Sequence, residues 1–177
     1  MNIFYLHNDP KTCAQMHNDK HVVKMILEST QMLSAAAIAN QAPEDILPKT
    51  KLGKPYRATH SNHPCTLWAG RTRKNYLWLY ELFTNLCIEY QNRYKKIHSC
   101  QSNIVAAYNC SKYIPAGDLQ PFPIAISEDS LCRNLPNFEN MSTVEKYRAY
   151  YSIDKAPIAR WKLEVPHWYN PQTQTQL

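Results

Sequence analysis

Glycine is scarce in this chain: Gly53, Gly70 and Gly117, far apart, are the only three among 177 residues. A dinucleotide-binding GxGxxG turn and a phosphate-cradling P-loop both need clustered glycines, so neither is present. The six cysteines (Cys13, Cys65, Cys87, Cys100, Cys110, Cys132) contain no CxxC pair and no zinc-ribbon spacing, and they suggest neither a metal nor a cofactor. The opening MNIFYLHNDP lacks the basic start and apolar core of a secretory signal. No stretch approaches the roughly 18 uncharged apolar residues of a membrane span. Repeats and low-complexity tracts are also missing. Together these absences lead us to expect a cytoplasmic protein with reduced thiols and no membrane partner. Cys100 and Cys110 are the pair that could join in an oxidising compartment.

With 44% apolar content the chain can bury one real core, and we expect a single domain over residues 1–177. Few glycines and long periodic runs favour a mainly α, compact helical fold with long irregular, proline-rich connections. The net charge of +6 points weakly toward polyanions.

Asn2 to Leu6 reads as an extended lead-in. Asp9 followed by Pro10 is a helix start, and the helical pattern runs to about Ala39 with a bend near Asn18 and Asp19. Breakers at Pro43, Pro48, Gly53 and Pro55 make Asn40 to Thr59 a loop. His63-Pro64 opens a helix through Trp68 to Gly70. The longest helix follows, from about Thr72 to Ile97, with Leu79, Leu82, Phe83, Leu86, Ile88 and Tyr90 as core candidates. A short helix is expected over Ser102 to Tyr108, then an irregular stretch over Lys112 to Pro136 in which PFPIAI (Pro121 to Ile126) packs on the core. Ser142 to Glu145 is a capping box opening a last helix to about Ser152.

The first long helix carries a polar stripe: His17, His21, Lys24, Glu28 and Gln31, spaced 4, 3, 4 and 3 apart. At about 100° per residue these fall within a sector of about 80°, in an apolar surround of Val22, Met25, Ile26, Leu27, Met32 and Leu33. An imidazole pair, an ammonium, a carboxylate and an amide are groups from which a site is built. The plain alternative is an interhelical hydrogen-bond network. Lys20 and Lys24, one turn apart, add a patch suited to phosphate.

A second constellation is His60, Asn62 and His63 at a helix start, where free backbone amides attract anions; capping by Asn62 or His63 is the commoner use. A four-histidine metal site from His17, His21, His60 and His63 lacks an acidic ligand nearby. A third constellation interleaves cations and aromatics: Arg71, Arg73, Lys74 and Tyr76, then Arg93, Tyr94, Lys95 and Lys96. It suits nucleic acid, or else a solvated helix end. Trp161, Trp168 and Tyr169 in the tail could stack on a base, although anchoring to the core is the simpler role.

The order Phe4, Asp9, DKHVVKMILESTQML (Asp19 to Leu33), HPCTLW (His63 to Trp68), CIEYQNRY (Cys87 to Tyr94) and VPHWYN (Val165 to Asn170) resembles small phage and bacterial proteins of the pyrimidine-dimer DNA glycosylase family, the phage endonuclease V type. The resemblance implies a compact helical domain with a basic DNA-binding face, and glycosyl-bond cleavage through a Schiff base. In that family the mature N-terminal amine is the nucleophile. An essential glutamate on the first long helix is flanked by arginines one turn apart. Carried over, Lys20 and Lys24 replace the arginines and His21 takes the glutamate's position; Glu28 is the nearest carboxylate on the same face. The family exposes a small residue after loss of its methionine, whereas the bulk of Asn2 favours retention of Met1, whose own amine could serve.

Two functions follow as expectations. One is a phage-type glycosylase or lyase acting on damaged or modified DNA in the host cytoplasm. Met1, His21 and Glu28 would be catalytic; Lys20, Lys24, His17, Gln31, His60, His63, Trp68, Arg71 and Arg73 would bind nucleotide or phosphate. Trp68 and Tyr76 would stack on an extruded base. The other is a pocket protein that sequesters a small nucleotide, such as a host immune signal. A purely structural role is the third reading.

Overall fold

The described residues, 1–171 of the chain, come from a computed structural model. Five of the six α-helices among the described residues start at a side-chain cap. Asp9 accepts the Thr12 amide at 2.8 Å ahead of α1 (Pro10–Met16), whose first residue is the proline. The expected bend is a full break: His17 is extended, and Asn18 caps α2 (Asp19–Ala39) by accepting the His21 amide at 2.9 Å. A capped asparagine satisfies a helix-start donor that a continuous helix would not have left free.

After the loop, His63 caps α3 (Pro64–Arg71) through Nδ1, and Thr72 caps α4 (Arg73–Tyr94). The long helix α4 ends at Tyr94 rather than Ile97, because Lys95 turns left-handed at φ 55°. A short α5 (Ile104–Cys110) follows a 3₁₀ turn, and the Ser142–Glu145 capping box opens α6 (Thr143–Ser152). No strand occurs among the described residues, which hold only an isolated bridge between Lys49 and Pro55. The architecture is mainly α.

Helix α2 packs on α3 and α4, and α1 packs on α4. Their shared core runs from Ile3 to Ile153 and includes Leu79, Leu82, Phe83 and Leu86. Ile88, expected in that core, is exposed. It lies two residues past Leu86, about 200° around the helix, so it points away from the face that buries Leu86. Phe122 and Ile126 are buried and Ile124 is exposed, the alternation of an extended PFPIAI segment lying on the core. Helix α2 is also long and apolar enough to cross a membrane by length and composition, yet 61% of its apolar window is buried inside the protein.

One buried ion cluster locks the α1–α2 break. The Arg93 guanidinium donates to the carbonyls of Gln15 and His17 at 2.8 and 2.7 Å, and pairs with Glu89 at 3.0 Å and Asp19 at 3.1 Å. Two of those acceptors are carbonyls left open where α1 ends. The tail closes over the same junction. Trp161 donates to the Met16 carbonyl, and the Trp168 indole reaches the Met16 sulfur.

Candidate active site

The chain's own first residues lie against the polar stripe. The lead-in runs antiparallel to α2: the Phe4 ring stacks on His21 with centroids 4.2 Å apart, and residues 1 and 2 reach Glu28 two turns on. The stripe is therefore a seat for the amino terminus as much as a helix face.

At its centre, the Met1 α-amine stands 3.5 Å from Glu28 Oε2, and the Asn2 backbone N–H donates to that oxygen at 3.1 Å. Lys24 Nζ lies 3.2 Å from Glu28 Oε1. Glu28 is nearly buried, while the Lys24 side chain is largely in solvent. Three donors thus converge on one carboxylate beside a primary amine. The Met1 side chain is only 3% exposed, although the residue as a whole is half-buried, so its accessible part is the backbone end that bears the amine. The buried thioether accepts from the Thr66 hydroxyl at 3.6 Å.

His63 borders this group. Its Nδ1 accepts the Cys65 amide at 3.2 Å, which leaves Nε2 as the nitrogen that carries the proton in the neutral ring. Burial lowers its pKa, the amine's charge and His60 lower it further, and Glu28 opposes them. Burial pushes the Cys65 thiol up to about 12, so it is no thiolate nucleophile.

The other end of the stripe is a wall. His21 Nδ1 lies 2.6 Å from the Tyr151 hydroxyl. Burial, then the His17, Lys155 and Lys24 charges, hold the pKa of His21 down to about 3. Its imidazole is neutral at physiological pH and sits two turns from the amine. His17 is fully buried between helices, with Nδ1 bonded to the Cys13 carbonyl and Nε2 without a partner. Burial, helped by Arg93, lowers its pKa to about 4.

Several expected contact residues stand elsewhere. Trp68 is 1% exposed and its indole donates to the Gln120 carbonyl. Tyr76 is fully buried, its hydroxyl on the Ala107 carbonyl. Neither reaches an extruded base, because each fills core volume. His17 cannot touch a ligand either. The Arg73 guanidinium is used on the carbonyls of Ser111, Lys112 and Ile114, and Arg93 is buried in its own cluster. Lys74 pairs with Asp118. Arg71 is exposed at the far end of α3, about 12 Å of helix from His63. The exposed members of the expected binding set are Lys20, Lys24, His60 and Arg71, with Gln31, His63 and Arg73 half-buried. Among the described residues, no three His, Cys, Asp or Glu groups come together as a metal site. All six cysteines are free, Cys100 and Cys110 included.

Two residues of the rim carry no motif in the sequence. Tyr150 lies nearly parallel to the Phe4 ring with centroids 6.2 Å apart, and Lys155 Nζ lies 4.6 Å over the Tyr150 ring. Tyr147, Tyr150 and Tyr151 share one helical turn, and only the packed structure separates the half-buried Tyr150 from its two buried neighbours.

The helical fold thus seats its amino terminus against a buried carboxylate, with the exposed Lys24 on that carboxylate's other oxygen. A family model described as pyrimidine dimer DNA glycosylase matches residues 1–102, more than half of the chain, and the protein belongs to that family. Neither a curated protein nor a solved structure matches it. The matched residues include Met1, Lys24, Glu28 and His63; Tyr150 and Lys155 lie beyond them.

Proposed function

We propose that this protein is a DNA glycosylase with lyase activity on damaged or modified bases, using the Met1 α-amine as nucleophile. The observation that carries this reading is the 3.5 Å approach of that amine to Glu28. The amine, once neutral, attacks C1′ of the damaged nucleotide. The new N–C1′ bond forms as the glycosidic C1′–N bond breaks, and the base leaves with the electron pair and takes up a proton. Opening of the C1′–O4′ bond, with a proton delivered to O4′, yields the Schiff base. Glu28 accepts the amine's proton and offsets the positive charge that develops at C1′. Lys24 keeps Glu28 in place, and Lys20, Lys24 and Lys155 supply phosphate contacts. Tyr150, half-buried beneath Lys155, offers a stacking surface.

The test is borohydride trapping on duplexes carrying an abasic site or a pyrimidine dimer, with the adducted peptide identified by mass spectrometry. A reduced adduct on the Met1 nitrogen is expected. Absence of any adduct across about pH 5–9 would sink the reading. Thermal stabilisation by a mononucleotide in that circumstance would point to sequestration of a small nucleotide.

A further inference from the structure

Asn2, which the family likeness marks only for its bulk beside Met1, is held on every side in the site. Asn2 is buried, and every polar atom of its side chain has a partner. Its Nδ2 donates to the Ala125 carbonyl at 3.0 Å. Its Oδ1 accepts from the Tyr147 hydroxyl at 3.1 Å and from the Cys65 thiol at 3.6 Å. The Ala125 carbonyl can only accept, so the carboxamide has one orientation. Tyr147 is itself fixed, taking the Ala125 N–H at 3.0 Å and sharing its hydroxyl proton with the Pro123 carbonyl, also at 3.0 Å. Ala125 therefore meets the clamp through both its N–H and its C=O.

We propose that Asn2 is the positioning residue of the site, the fixed point from which the α-amine one residue earlier is aimed at Glu28. Consecutive Cα atoms are about 3.8 Å apart, so immobilising residue 2 leaves the amine only the backbone torsions of Met1 and the φ of Asn2. The Asn2 N–H on Glu28 removes much of that remaining freedom, and the Met1 thioether held by Thr66 restrains the other side. The clamp is assembled from distant parts of the chain: α3 supplies Cys65, the PFPIAI segment supplies Pro123 and Ala125, and α6 supplies Tyr147. The last three residues lie outside the region matched by the family model. These three residues thus act on the reaction without touching substrate.

The proposal rests on the α-amine reading above, and its experiment separates the two. Tyr147→Phe leaves residue 2 intact and removes the hydroxyl on which the carboxamide leans. Asn2→Leu is a bulky replacement that keeps Met1 in place and removes all three side-chain bonds. Both variants are compared with the wild type by circular dichroism, by N-terminal carbamylation with cyanate followed by mass spectrometry, and by adduct formation at saturating DNA. Released from its seat, the amine is expected to carbamylate several-fold faster. Adduct formation slows about 10- to 100-fold, as expected for a loosened nucleophile, while DNA affinity holds within about twofold. A merely structural role would leave the amine's reactivity unmoved. Wild-type carbamylation rates in folded Tyr147→Phe protein overturn the clamp. Faster carbamylation in the variants, together with a wild type that forms no adduct, keeps the clamp and removes the glycosylase.

Discussion

The His21 imidazole and the Tyr151 hydroxyl meet at 2.6 Å, joining residues 130 positions apart. That bond, with Phe4 stacked on the ring, makes His21 part of the site's wall. The acidic partner of the amine is Glu28, two helical turns away. Glu28→Gln keeps an acceptor for the Asn2 N–H and removes the charge. Borohydride trapping with this variant is expected to fall by about 100-fold or more, with circular dichroism unchanged; trapping at the wild-type rate would show that the carboxylate is dispensable.

The two buried histidines make stability pH-dependent. Their folded pKa values, about 4 for His17 and about 3 for His21, lie below the unfolded value of 6.5. Below 6.5 the unfolded chain binds more protons than the folded one. The stability they contribute is thus complete above that pH and is lost progressively as pH falls toward 4 and then 3. From pH 7 to pH 5, His17 alone should lower the unfolding free energy by about 2 kcal/mol. Urea titrations at the two pH values measure this, and His17→Gln should flatten the dependence.

Arg93 is a structural cation. Arg93→Ala strands Glu89 and Asp19 and leaves the Gln15 and His17 carbonyls without their donor. A loss of about 3–5 kcal/mol is expected. Arg93→Lys should rescue little, since one ammonium cannot reproduce the fork. Chemical denaturation decides the point; a loss below about 1 kcal/mol would place the cluster among weak surface pairs.

If DNA lies across the rim, Lys20→Ala, Lys24→Ala and Lys155→Ala should each weaken duplex binding. Each should also reduce the slope of log K against log salt by about 0.9. Arg73→Ala, whose guanidinium is spent on carbonyls, should leave that slope alone. Fluorescence anisotropy at several salt concentrations distinguishes the two groups. Equal slopes for all four variants would remove the rim from the interface.

The thiols should be silent in the native protein. All six are buried, and burial raises Cys13, Cys65, Cys87 and Cys132 to about 12 and Cys110 to about 11. A thiol-disulfide reagent at neutral pH should titrate none of them before unfolding and all six afterwards. Rapid reaction of one native thiol would contradict its enclosure.

What the sequence determined by itself was local. Capping at Asp9, His63 and Ser142 is short-range chemistry, complete within three residues, and it placed the helix starts. The stripe was equally plain over His21, Lys24, Glu28 and Gln31 on α2, because helical periodicity depends only on spacing, whereas His17 falls in the break before that helix. Tertiary structure decided which polar groups face the site. His17, Trp68, Tyr76 and Arg93 are buried and Arg73 is spent on backbone carbonyls, and their residue types alone do not distinguish them from exposed groups. The clamp on Asn2 was invisible for a related reason. Its partners lie 63, 123 and 145 residues away, and no local pattern encodes a hydrogen bond closed across the whole chain.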